Sequence, residues 1–187
     1  MIETQQAILI DAAIEGVWDF ACNIERWAKL MPGMRECTVI DADNSRWMLK
    51  VGVGGLVRTV NVLVHVEQWD GPERVRFLYK LEGDPVEGGG TYMASRKGPH
   101  QTEVVLTVRV EGSGPLAPMW EAMGRPVLPQ LAKSFAGQLK AEIEKAIPPP
   151  AAPDAGEAEA TPAAAGIGSR LRNMWRAVFV PGNKETP

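Results

Sequence analysis

Two cysteines and two histidines are all the thiol and imidazole ligands that this chain of 187 residues could offer a transition metal. Cys22 and Cys37 lack the short paired spacing of a zinc site, His65 falls in mid-strand and His100 in a turn, and neither histidine has ligand spacing with either cysteine. No metal site is expected, and the thiols should be free. Long apolar runs are missing too: no stretch near 18 residues stays apolar, so nothing is expected to span a bilayer. The N-terminus, MIETQQAILIDAA, has no basic region followed by an apolar run, so there is no export signature and a cytoplasmic chain is expected. Nor is there a basic face interleaved with aromatics, and nucleic acid is therefore not an expected partner. The glycine run of Val51-Gly52-Val53-Gly54-Gly55 joins two strands rather than a strand to a helix, so it reads as a bulge or tight turn and not as a phosphate loop.

What is present is apolar material in ordered patterns. Hydrophobic residues make up 45% of the chain, enough for one ordinary domain with an appendage. The net charge of −3 hides a split. Residues 1 to 147 carry 16 basic and 19 acidic groups, residues 148 to 166 none and 3, and residues 167 to 187 carry 4 and 1.

The most organised stretch runs from Met119 to Ile147. Met119, Met123, Val127, Leu131, Phe135, Leu139, Ile143 and Ile147 recur every four positions, which predicts a long amphipathic helix. Pro126 and Pro129 each lack a backbone donor, so a bend or restart is expected there. Upstream lie the partners for this stripe. Ile2 to Ile10 reads as a strand, Asp11 as the cap of a short helix holding Ile14, Val17 and Trp18, and Asn23 as the cap of a second one. Six further strands follow, separated by turn chemistry, with hairpin-like connections that favour antiparallel pairing. The fold class is α+β: a curved antiparallel sheet of about seven strands around a long C-terminal helix, with two short helices.

Alternation says which faces meet. Val60, Val62, Val64 and Val66 share one face, Val75, Phe77, Tyr79 and Leu81 answer on the next strand, and Leu106 and Val108 stand on the last. Ala132, Ala136 and Gly137 keep part of the helix thin, so space is expected to remain between helix and sheet. Its expected lining is Val62, Val64, Phe77, Tyr79, Leu106, Val108, Met123, Val127, Leu131 and Phe135. Met31, Met34, Met119 and Met123, with Trp27 and Trp120, fall near the ends of that space. Such residues pack a core, or line a pocket that adapts to an isoprenoid or acyl chain. Tyr79, Tyr92, Asp19 and Glu15 are the side chains that could act as acid or base there, but no two of them form a recognisable motif.

Residues 148–166, rich in Pro and Ala, read as a disordered linker that would span roughly 25 Å as a coil and about 60 Å fully extended. Residues 167–180 then form a second amphipathic helix, and 181–187 a disordered terminus. Leu171, Met174, Trp175, Val178 and Phe179 occupy one face of that helix and Arg170, Arg172 and Arg176 surround the other. It is too short to cross a bilayer, so it either lies in an anionic membrane surface or docks on a protein.

Several strings in residues 1 to 147 resemble the G-subunit family of aerobic, molybdenum-containing carbon-monoxide dehydrogenases. These are Val17-Trp18, Leu30-Met31-Pro32-Gly33-Met34, Lys50-Val51-Gly52-Val53-Gly54, Gly88-Gly89-Gly90, and Val108 to Leu116 with its Glu-Gly-Ser-Gly-Pro-Leu turn. That family lies within the polyketide-cyclase and START-like superfamily, whose architecture is the helix-grip fold. The resemblance implies no catalytic motif. It implies a non-enzymatic accessory protein, peripheral on the inner face of the cell membrane, that recruits the molybdenum dehydrogenase complex there. Because such an enzyme must pass electrons to the respiratory chain, a quinone (menaquinone or ubiquinone) is the expected hydrophobic small molecule in the cavity, and no covalent cofactor is expected. A cyclase-like enzyme of the same superfamily and a ligand-free assembly adaptor are the competing readings.

Overall fold

The structure, a computed structural model, describes residues 1–147 other than 54, 55 and 116. The elements come in the expected order: β1 (Ile2–Ile10), α1 (Ile14–Ala21), α2 (Ile24–Ala28), β2 (Met34–Val39), β3 (Asn44–Val53), β4 (Leu56–Asp70), β5 (Arg74–Leu81), β6 (Val86–Gly98), β7 (Gln101–Gly112) and α3 (Ala117–Ala146). The seven strands form one antiparallel sheet in the order β1-β7-β6-β5-β4-β3-β2. Every neighbour but one is therefore joined by a hairpin, and the exception, β1 on β7, places the chain's start beside the strand that leads into α3. This is the expected α+β helix-grip architecture.

Period-two alternation decides the layers. Val60, Val62, Val64 and Val66 of β4 are buried in one row, Val75 of β5, Tyr92 and Ala94 of β6, and Val104 and Leu106 of β7 continue it, and the intervening residues face outward. Helix α3 lies against β1 and β7, and α1 closes onto its last turns. A side chain on Gly16 of α1 would collide with Ile147, so the end of the apolar helix packs directly on α1. Asn23 caps α2 as expected, accepting from the Arg26 N–H at 3.0 Å.

Three local expectations are corrected. Asp11 does not cap α1. The N-cap is Ala13, which lends no side-chain bond, because burial of Ile14 and Val17 sets where the helix starts. Asp11 instead ties the end of β1 to its neighbours: its N–H donates to Glu144 Oε1 at 2.8 Å and its carboxylate accepts from Gln101 Nε2 at 3.1 Å. The helix does not restart near Pro129. Both prolines lie inside one continuous α3, where each removes one backbone bond, to the carbonyls of Ala122 and Arg125, without ending the element.

The third correction concerns the four-residue stripe. Four residues carry an α-helix about 40° past a full turn, so a row with that spacing winds around the axis. Met119 at its start is 46% exposed, and only Leu139 and Ile143 near its end are fully buried. The most buried side of the middle of α3 is a second row, Leu128, Ala132 and Ala136. Gly137, expected to thin the inner face, is exposed.

The expected linker, the expected second amphipathic helix with the eight residues expected to bind a membrane, and the terminus lie outside the described residues. Because the core closes at Ile147, truncation after Pro150 is expected to leave the melting temperature within about two degrees of the full chain. A fall of more than about five degrees in a thermal melt would mean that the tail packs on the domain.

Candidate functional site: an apolar cavity under the long helix

Between α3 and the curved sheet lies a cavity of about 510 Å³. That is in the range, roughly 300 to 1,000 Å³, of small-molecule sites. All ten residues expected on its wall stand there: Val62 and Val64 from β4, Phe77 and Tyr79 from β5, Leu106 and Val108 from β7, and Met123, Val127, Leu131 and Phe135 from α3. Met31, Met119, Trp27 and Trp120 also line it, whereas Met34 packs into the core instead. Sequence reasoning missed Trp47, Leu49 and Val51 of β3, whose alternation was there to be read, and Leu128 and Ala132 of the second helical row. The cavity reaches the surface where its wall residues are exposed, at Met119 and at Arg58, whose side chain is 52% exposed. At the other end α1 and α2 close it with Val17, Ala21 and Trp27.

The glycine run of β6 explains why this space stays open. Gly88 is the register partner of Tyr79 and Gly90 of Phe77, and a Cβ on either would lie 2.6 Å from the partner's ring. The two rings thus lie across bare backbone instead of projecting into the cavity. Tyr79 is pinned in that pose by donating its hydroxyl to the Arg109 carbonyl oxygen at 2.8 Å. Trp27 meets Trp47 edge to face with centroids 5.0 Å apart and Phe77 at 6.0 Å, forming an aromatic shelf at the closed end.

Polar chemistry on this wall is sparse. Among the described residues Arg58 is the one charged side chain lining it; its Nη2 lies 2.9 Å from Asp84 Oδ2 and its guanidinium 5.8 Å from the Trp120 ring centroid. Of the four acid-base candidates, Tyr79 and Tyr92 line the cavity and Asp19 and Glu15 do not. Burial pushes both phenols well above their ordinary pKa, so both keep their protons at neutral pH and neither can serve as a base there. Glu15 pairs with Arg96 outside the cavity, its carboxyl held below the usual range by a backbone hydrogen bond and then by Arg96. No group of three or more metal-ligating side chains occurs among the described residues, nor is any helix there long and apolar enough to cross a membrane.

A helix gripped by a seven-stranded sheet, with an apolar cavity between, has known counterparts. Residues 1–144 match the family model described as polyketide cyclase / dehydrase and lipid transport. The chain belongs to that family. Solved members of the fold superpose over most of the polyketide cyclase and lipid transport domain. A conserved protein from Geobacillus kaustophilus is 20% identical with a TM-score of 0.68, covering 78% of this chain and 97% of its own. A START superfamily protein from Mycobacterium smegmatis is 15% identical at TM-score 0.55, covering 75% and 98%. The Zhui aromatase/cyclase from Streptomyces sp. R1128 is also 15% identical, at TM-score 0.56, covering 77% and 94%. At these identities the likeness to each structure is one of fold. No curated protein matches the sequence.

Proposed function

We propose that this family member is a non-catalytic carrier of a hydrophobic small molecule, that the molecule is a respiratory quinone (menaquinone or ubiquinone), and that it serves an aerobic molybdenum carbon-monoxide dehydrogenase at the membrane. The observation that carries the reading is the cavity wall. It is aliphatic and aromatic almost throughout, and its one charge is already engaged by Asp84. A wall of this kind gains from covering apolar surface, at roughly 25 cal/mol per Å², and offers an acyl or isoprenoid ligand little to repel it. General-base catalysis would need a deprotonated group near the reacting atoms, and both phenols on the wall keep their protons, that of Tyr79 being already donated to a carbonyl oxygen. The dehydrogenase enters only through the strings that resemble its G-subunit family, and the membrane through the sequence of residues 167–180, in which Trp175 and Phe179 recur at helical spacing among arginines.

The test is extraction from vesicles. Full-length protein is incubated with anionic liposomes loaded with ubiquinone, the liposomes are floated away at moderate salt, and quinone remaining with the protein is measured. Wild type should come away with close to one quinone per chain. Trp175→Ala with Phe179→Ala should bind the vesicles at least about tenfold more weakly and load correspondingly slowly, since each aromatic contributes roughly 1.5 to 3 kcal/mol on burial. Wild-type protein that leaves without quinone contradicts the carrier; equal loading by the double variant removes the tail helix from the process.

A further inference from the structure

Among the described residues, three buried polar side-chain atoms find no partner there: Nε1 of Trp27, the hydroxyl of Tyr92 and Nε1 of Trp120. All three side chains stand on the cavity wall. The chain does not leave such groups stranded generally. The indole N–H of Trp47 donates to Ser45 Oγ at 2.9 Å, that of Trp69 to Asp43 Oδ1 at 2.8 Å, and the Tyr79 hydroxyl to a backbone carbonyl. A buried donor without an acceptor is destabilising, and folded proteins keep few of them. Three along one apolar cavity are accounted for if the missing acceptors arrive with the ligand.

Their chemistry restricts what that ligand is. Both indole N–H groups can only donate, and the phenol of Tyr92 is a ready donor held in its protonated form by burial. Trp27 and Tyr92 belong to the end covered by α1 and α2, where Trp27, Trp47 and Phe77 supply flat apolar surface; Trp120 lies at the mouth under Arg58. Resting on the carrier reading above, we propose that the closed end is a donor subsite for a planar ring bearing carbonyl oxygens, which enters ring first, accepts from Trp27 and Tyr92, and packs against the aromatic cluster. A ring whose polar atoms are acceptors only satisfies both donors. The same ring reduced to its dihydroxy form brings two O–H groups that need acceptors of their own; an indole N–H supplies none, and the Tyr92 oxygen can accept from one of them only by giving up its role as donor to the ring. The cavity therefore prefers the oxidised ring, a quinone, to the corresponding quinol.

Titration calorimetry of the full-length protein with decylubiquinone, and under anaerobic conditions with its reduced quinol, tests this. Wild type should bind the quinone about tenfold more tightly than the quinol, and Trp27→Phe and Tyr92→Phe should each weaken quinone binding roughly three- to tenfold while leaving quinol binding within about twofold. A readout without ligand separates binding from structure: Tyr92→Phe removes an unsatisfied buried hydroxyl, so the empty protein should melt no lower than wild type, and the quinone-bound one lower. Equal wild-type affinity for both forms, with Tyr92→Phe binding the quinone unchanged, overturns the donor subsite and leaves the carrier standing. Binding of neither form overturns the carrier reading, and the subsite with it.

Discussion

Leu131→Trp is expected to abolish ligand binding, by at least about a hundredfold, while the domain stays folded. Leu131 stands on the cavity wall but outside the buried core cluster, so its side chain meets open space rather than close-packed neighbours. Overpacking a filled core costs roughly 1 to 3 kcal/mol because side chains and backbone must shift. Here an indole grows into a space of about 510 Å³, and the stability loss should stay under about 1 kcal/mol, or a few degrees of melting temperature. Five residues on, Ala136 is buried in the core at 2% exposure, and Ala136→Trp should unfold the protein. Quinone uptake by calorimetry and a thermal melt of each variant give the comparison. If Leu131→Trp unfolds as readily as Ala136→Trp, the space is core and not a binding site.

Gly90→Ala carries the second large effect, on the sheet itself. Its Cβ would collide with the Thr107 carbonyl oxygen on β7 and come within 2.6 Å of the Phe77 ring, so β6–β7 pairing and the ring pose are disturbed together. Backbone oxygen cannot swing aside as a side chain can. A loss of about 3 kcal/mol, near 10 °C in melting temperature, is expected, together with weaker ligand binding as Phe77 is driven into the cavity. Gly137→Ala is the control. Nothing lies within 4 Å of its would-be Cβ, and a helix interior favours alanine over glycine by about 1 kcal/mol, so that variant should melt higher than wild type. Equal melting temperatures for Gly90→Ala and wild type would mean that the glycine run has no part in shaping the wall.

How much of this was legible in the chain depends on whether the relevant signal was local. Alternation at Val60 to Val66, Val75 to Leu81 and Val104 to Val110 reports which way each side chain points, and it placed six of the ten expected wall residues before any pairing was known. The four helical ones were placed by a row that winds, which is why Met119 proved exposed while Leu128, Ala132 and Ala136 form the most buried side. Asp11 looked like a cap because capping residues are read from neighbours in sequence. Its actual partners, Gln101 and Glu144, are distant in the chain and visible only once β1 pairs with β7 and α3 crosses them. The same holds for the aromatic shelf. Trp27, Trp47 and Phe77 come from a helix and two strands, and Gly88 and Gly90 matter through partners on β5 and β7. An unpartnered donor such as Trp27 Nε1 is illegible by nature, since being without a partner is a property of the whole fold.

The central claim is that the cavity under α3 holds a quinone in the working protein. Native mass spectrometry of the full-length chain, purified without detergent from an aerobic host, tests it most directly. A population heavier than the bare chain by the mass of one quinone is expected, released into organic solvent with a quinone spectrum and missing from Leu131→Trp. A wild-type protein that appears only at the mass of the bare chain, and stays there after incubation with quinone-loaded vesicles, would contradict it.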